Sequence, residues 1–179
     1  MLFARQRSWF LVVVIALSAG CSTPMGSDAD PDPDANSIVS GERIGDLASI
    51  GTAGSVIRAM PGSETGTVTD PLTVFFFRDE AGDMMHVIMV CTSSDVVSEI
   101  YIWNRPENER FVTPEGLSVV SSESEVLATL GTPARTIEAT NTRILEYDER
   151  TDGSYGLVFS FWNADLSSTH FIGVRGPCQ

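Results

Sequence analysis

Two segments of the chain repeat the same order of hydrophobic and polar positions. Sliding the sequence on itself by 70 residues, without a gap, aligns the apolar positions of 41–105 with those of 111–175, so that Val56 falls on Val126. Residue identity is low, and chance alignment of two strand-rich segments is the alternative explanation. We interpret the pattern as two repeat units, 41–105 and 111–175.

A short helix is predicted at the start of each unit. In the second unit, Ser122 and Glu125 have the spacing of a capping box, and Gly131 is a typical residue to end the helix. In the first unit, Thr52 stands at the matching cap position, and Pro61 prevents the helix from continuing. Both predicted helices are about two turns long.

Strand-like runs with alternating side chains follow each predicted helix. They are residues 72–78, 84–92 and 96–103 in the first unit, and 142–148, 155–162 and 169–174 in the second. The predicted fold class is therefore α+β, with two tandem repeats that each pack a short helix on a three- to four-stranded antiparallel meander. Such a helix covers only part of a sheet, which leaves the second sheet face available.

The N-terminus has the pattern of a secretion signal. Arg5 and Arg7 precede an apolar run, which ends in the small residues before Cys21. This arrangement resembles a bacterial lipoprotein signal, which implies a signal peptide of residues 1–20, cleavage before Cys21 and acylation of that cysteine. An ordinary secretory signal with a cysteine by chance is the alternative. The resemblance implies a membrane-anchored protein of the cell envelope, at the periplasmic face of the outer membrane if the host is Gram-negative.

Residues 21–40 are rich in aspartate and proline and contain few apolar side chains. Such a segment cannot bury a core, and we interpret it as an acidic, solvated tether. Its carboxylates would also suit a calcium ion. Prolines at alternate positions hinder wrapping around an ion, however, so the tether is favoured.

Charge restricts the partners of the protein. The formal net charge is −13, and removal of residues 1–20 with their two arginines leaves −15. An acidic chain is repelled by nucleic acid and by anionic lipid headgroups. We therefore expect no nucleic-acid partner, and we expect attachment to the membrane only through acyl chains on Cys21.

Two further cysteines, Cys91 and Cys178, are exported to a compartment that permits disulfides. Their even number favours a Cys91–Cys178 disulfide without establishing it. These two cysteines and the two histidines of the chain are not spaced closely along the sequence in the way that the ligands of a structural metal site are. Neither a metal site nor a cofactor is therefore predicted.

Enzymatic chemistry finds little support in the sequence. There is no Gly-x-Ser-x-Gly motif and no phosphate-binding loop. His86 and His170 do not align with each other at the repeat offset, and Cys91 lies in phase with the predicted core positions of its strand. We therefore predict no catalytic residues and no enzymatic activity.

A family resemblance is carried by motifs of the second unit, namely Gly116-Leu117, Val126-Leu127, Leu130-Gly131-Thr132-Pro133, Tyr147 and Phe171-Ile172. They resemble the BamE-like (SmpA/OmlA) lipoprotein domain, and two such units in tandem are similar to the β-lactamase-inhibitor-protein family. The resemblance implies a small α+β module that binds other proteins and performs no chemistry. BamE-like proteins have one unit, so a place in the barrel-assembly machinery does not carry over.

Three aromatic residues are candidates for contact with a partner. Strand alternation directs Tyr101, Trp103 and Trp162 away from the predicted core. Exposed aromatic rings contribute strongly to interfaces. Burial of the rings by the other unit or by residues 104–114 is the alternative. The sequence thus predicts a lipid-anchored protein-binding or scaffold module, and an inhibitor or ligand-capturing sensor of one extracytoplasmic partner is the second possibility.

Overall fold

The protein folds into two antiparallel sheets and a few short helices. The computed structural model describes residues 34–151, 155–162 and 165–178. The small sheet contains β1 (Ile38–Val39), β2 (Arg43–Ile44) and β3 (Ala48–Ser49). The large sheet contains β4 (Glu64–Thr69), β5 (Leu72–Arg78), β6 (Met84–Cys91), β7 (Val97–Trp103), β8 (Arg135–Glu138), β9 (Thr142–Glu149), β10 (Tyr155–Trp162) and β11 (Asp165–Arg175). The described helices are α1 (Gly54–Ala59), α2 (Glu123–Leu130) and a 3₁₀ turn at Pro106–Asn108.

The large sheet has the strand order β4-β5-β6-β7-β11-β10-β9-β8. Neighbouring strands are consecutive in the chain except at the centre, where β7 pairs with β11. In this central pair, Trp103 lies opposite Phe171 and Tyr101 lies opposite Gly173. The two ends of the sheet are formed by β4 and β8.

The predicted fold class is wrong. The predicted α+β architecture had two separate helix-on-meander repeats, whereas the protein is mainly β and its long strands form a single eight-stranded sheet. The reason is the pairing of β7 with β11, which joins strands from 41–105 and from 111–175 edge to edge. Both α-helices are short, at six and eight residues, and contribute little to the architecture.

The two helices differ in how they begin. The predicted capping box of α2 is confirmed, since the Ser122 hydroxyl accepts from the Glu125 amide while the Glu125 carboxylate accepts from the Ser122 amide. The Glu125 carboxylate accepts hydrogen bonds from the Ser122 amide and also from the Ser122 hydroxyl, and these lower the pKa of Glu125. The cap predicted at Thr52 is wrong, because α1 is preceded by Ala53 and has no side-chain cap.

One face of the large sheet is covered, and the core lies there. Ile57 of α1, Val126 of α2 and Ile38 of β1 all pack into the buried apolar cluster. The sheet contributes alternate residues of its strands, including Phe75, Ile88, Ile100, Phe159 and Ile172, each at most 1% exposed. Ile38 belongs to the segment predicted as a solvated tether, 21–40, and the carbonyls of Ala35 and Asn36 accept hydrogen bonds from other parts of the fold. The described part of that segment, from residue 34 onward, therefore belongs to the folded protein. The predicted signal peptide, residues 1–20, and the predicted lipidation site Cys21 lie outside the described residues.

The other face of the large sheet, called here the second face, carries the alternate residues of the same strands. Several of its large side chains are less deeply buried than those of the core. Phe76, Met89, Trp103 and Phe171 are half-buried, and Trp162 is 44% exposed. The second face therefore carries aromatic side chains that a partner could contact, among them the predicted binding residues Trp103 and Trp162.

Candidate binding surface

A row of aromatic side chains crosses one end of the second face. Trp103 on β7 lies 5.7 Å from Phe171 on β11, and Phe171 lies 5.6 Å from His170, measured between ring centroids. His170 in turn stacks on Trp162 of β10 at 4.1 Å. The row thus connects the two predicted tryptophans across three neighbouring strands.

An irregularity in β11 places His170 in this row. Ser160 of β10 pairs with Phe171, whereas the next residue, Phe161, pairs with Thr169, so His170 is an extra residue in β11. Such β-bulges redirect a side chain from the regular alternation. Burial lowers the pKa of His170, and its Nδ1 is buried without a hydrogen-bond partner in the described part of the chain. The imidazole is therefore neutral at pH 7.

Tyr101 does not share the exposure predicted for it. Its side chain is only 5% exposed, whereas Trp103 is half-buried and Trp162 is exposed. The cause is Gly173 on the paired strand, because a Cβ atom at that position would lie 2.3 Å from the Tyr101 ring. The ring therefore fills the space above the glycine and packs edge-on against Phe171 at 5.4 Å.

A cluster of charged groups surrounds the Tyr101 hydroxyl. This hydroxyl donates to Glu99 and accepts from Arg175. Arg175 also pairs with Glu146 at 2.8 Å, and Arg135 lies 3.7 Å from the same carboxylate. The side chain of Glu146 is only 2% exposed, so the arginines are needed to compensate its buried charge. Burial is the main cause that raises the pKa of Tyr101, which therefore stays protonated.

A cavity of about 340 Å³ opens at the tryptophan end of the second face. It is lined by Trp103, Asn104, Arg105, Trp162, Ser168, Thr169 and His170. Some of its polar groups have protein partners. The Asn104 side chain donates to the Thr169 carbonyl at 3.0 Å, the Thr169 hydroxyl donates to the Ser121 carbonyl at 2.7 Å, and Arg105 pairs with Asp83 at 3.3 Å.

A second cavity of about 310 Å³ lies on the other side of the sheet, between β1, the loop at 113–115, the end of α2 and strands β9 and β10. Its lining includes Ile38, Leu130 and Leu157, and the hydroxyl of Tyr147, which also lines it, donates to the Gly131 carbonyl at 3.2 Å. None of the predicted site residues lines it. The cavity with the two tryptophans is therefore the stronger candidate.

The remaining predicted site residues lie away from this surface. Cys91 and Cys178 form a disulfide, with their Cα atoms 5.5 Å apart. This bond fastens the C-terminal segment to the end of β6. His86 is buried on the core face, where it stacks on Phe77 with ring centroids 4.3 Å apart. The two histidines thus occupy opposite faces of the sheet and share no site.

Two kinds of site are absent from the described part of the chain, namely a cluster of metal ligands and a membrane-spanning helix. Residues 34–151, 155–162 and 165–178 contain no group of three or more metal-ligating side chains. Over the same ranges, no helix has the length and hydrophobicity needed to cross a bilayer. No protein-family model, curated protein or solved structure shows significant similarity to this chain.

Proposed function

We propose that this protein is a lipid-anchored protein of the cell envelope that binds another protein through the second face of its large sheet and performs no chemistry. The observation that carries the proposal is the exposure of aromatic rings on this face. Trp162 is 44% exposed and Trp103 is half-buried, although large aromatic side chains are usually covered. Such rings contribute to an interface out of proportion to their number because they bury a large area with few rotatable bonds.

The charged cluster next to the aromatic row supports the same function. Arg175, Glu99 and Glu146 hold one another in fixed positions around Tyr101. Charges that are already paired and fixed lose little conformational freedom when a partner covers them. The aromatic row therefore supplies apolar contact area on the second face, and the charged cluster beside it supplies a defined electrostatic pattern.

Membrane attachment belongs to the proposal through Cys21, which lies outside the described residues. The fold class that the BamE-like resemblance implied is wrong. We therefore keep only the role that it implied, namely protein binding in the envelope, as a proposal. An inhibitor or ligand-capturing sensor is the second candidate function. The cavity of about 340 Å³ between the tryptophans favours it, because a concave site lined by aromatic and polar groups is suited to a small ligand.

Site-specific photo-crosslinking in intact cells tests the main proposal. A photoreactive amino acid at position 103 or 162 should give a discrete adduct with a second protein. The same amino acid at Val56, which is 53% exposed on α1, provides the matched control and should give none. A second substitution on the same face, Met89→Arg, should abolish the adduct. Equal adducts from all three positions, or no adduct from positions 103 and 162, would contradict the proposal.

A further inference from the structure

We infer that the cavity between Trp103 and Trp162 binds a neutral sugar ring. This goes beyond the proposed function, because it assigns a small ligand to one end of the second face in addition to a protein partner. The cavity of about 340 Å³ is at the small end of ligand sites, which run from roughly 300 to 1,000 Å³. Its size therefore suits a ligand of one or a few rings.

The tryptophans provide the surface on which a sugar ring stacks. A pyranose presents C–H groups on its apolar face and hydroxyls around its rim. The C–H groups carry a small positive charge, and the face of an aromatic ring carries the complementary negative one. Trp162 keeps 44% of its surface exposed even though His170 stacks against it, so indole surface is accessible at the cavity.

Hydrogen-bonding groups surround this aromatic surface, as the rim of a sugar requires. Ser168 offers a hydroxyl that both donates and accepts, and Arg105 offers a guanidinium whose side chain is 37% exposed. His170 contributes only the Nε2 atom of its neutral imidazole, because its Nδ1 atom is buried. A purely apolar side chain from a protein partner would cover the Ser168 hydroxyl and the His170 imidazole without giving them hydrogen bonds, which is costly. The lining therefore favours a sugar over an inserted apolar side chain.

The charge of the cavity favours a neutral ligand. Arg105 is the charged residue among the described residues that line it, and Asp83 pairs with this arginine at 3.3 Å. The chain as a whole carries a formal charge of −13, which repels anions. An acidic sugar would thus meet a repulsive surface and an arginine that already has a partner.

Tryptophan fluorescence provides a direct test, because the sequence contains only three tryptophans. In the full chain with Trp9→Phe, all indole emission comes from Trp103 and Trp162. This protein, in micelles of the sugar-free detergent lauryldimethylamine oxide, is titrated with chitobiose, cellobiose and maltose. The acyclic polyol sorbitol has the hydroxyls without the ring and serves as the matched control. We expect a saturable change with at least one disaccharide and none with sorbitol.

Variants assign the response to the cavity. Trp162→Ala should abolish binding, as read from Trp103 emission and from saturation transfer to the sugar protons. Ser168→Ala, a smaller change, should weaken binding about fivefold through loss of one hydrogen bond worth ~1 kcal/mol. Val56→Ala on α1 should bind like the parent, and circular dichroism checks that every variant is folded.

Three results would overturn the inference. They are no saturable response to any disaccharide, equal responses to sorbitol and disaccharide, or unchanged binding by folded Trp162→Ala protein. Crosslinking from position 162 without any sugar response would also refute the sugar site, while leaving the protein-binding proposal intact. Sugar binding without a crosslinked partner would support this inference and contradict the protein-binding proposal.

Discussion

The buried imidazole of His86 makes the stability of the protein depend on pH. Its side chain is 8% exposed, it stacks on Phe77, and neither ring nitrogen has a hydrogen-bond partner in the described part of the chain. Protonation would place a positive charge in this apolar surrounding without compensation. Burial accordingly lowers the pKa of His86 from 6.5 to about 4.

The sign of the effect follows from the protons bound in each state. The unfolded chain protonates His86 near pH 6.5, whereas the folded protein does so only near pH 4. The unfolded state therefore binds more protons between these values, and stability is lost as the pH falls through this window. A shift from 6.5 to about 4 corresponds to a maximal loss of about 3 kcal/mol, at 1.36 kcal/mol for each pKa unit. Above about pH 6.5 the contribution is constant.

Urea denaturation at a series of pH values measures this loss, with His86→Phe as the comparison. Phenylalanine keeps a ring against Phe77 but cannot be protonated, so the variant should lack the His86 part of the pH dependence. Other groups that titrate, including His170, cancel in the difference between the two proteins. We expect the variant to gain about 3 kcal/mol relative to the parent between pH 7 and pH 4. Parallel stability curves for the two proteins would refute the reasoning.

Three further changes have expected outcomes. Cys21→Ala should move the protein from the membrane fraction to the soluble fraction of the cell, and continued fractionation with membranes would contradict lipid anchoring. Ser122→Ala should lower the free energy of unfolding by ~1 kcal/mol through loss of the α2 cap, whereas Thr52→Ala, which removes no cap, should change it little in the same urea assay. Replacing both Cys91 and Cys178 by alanine should cost ~2–4 kcal/mol in thermal or urea unfolding, because a closed loop spanning 87 positions restricts the unfolded chain. A double variant as stable as the parent would show that the bond adds nothing to stability.

Interior strands of the large sheet could be predicted from the sequence because their core residues recur at alternate positions. The run predicted at 72–78 coincides with β5, and that at 155–162 coincides with β10. The edge strands β4 and β8 were not predicted. Their residues, such as those of the Thr-rich Glu64–Thr69, alternate weakly because an edge strand buries fewer side chains. The local pattern thus predicted interior strands and missed both edge strands.

Pairing between distant strands could not be predicted in this way. The join between β7 and β11 is a tertiary interaction, and no local signal in either strand specifies its neighbour. The same limitation affected the candidate site. Alternation placed Tyr101 on the second face correctly, but its burial depends on Gly173 across the strand pair. The role of His170 depends on a bulge in β11 that regular alternation does not reveal.

The position of β11 also determines when the protein can finish folding. Strands β4 to β7 can pair in turn as the chain emerges, since each lies beside its predecessor in sequence. Among the described strands β11 is the last to be synthesised, yet it fills the middle of the sheet between β7 and β10. Until it arrives, both of these strands expose unpaired backbone groups, which promote aggregation. A chain shortened before Asp165 would therefore lose the centre of the sheet rather than its margin, and we expect a nascent chain to need protection until β11 has been synthesised.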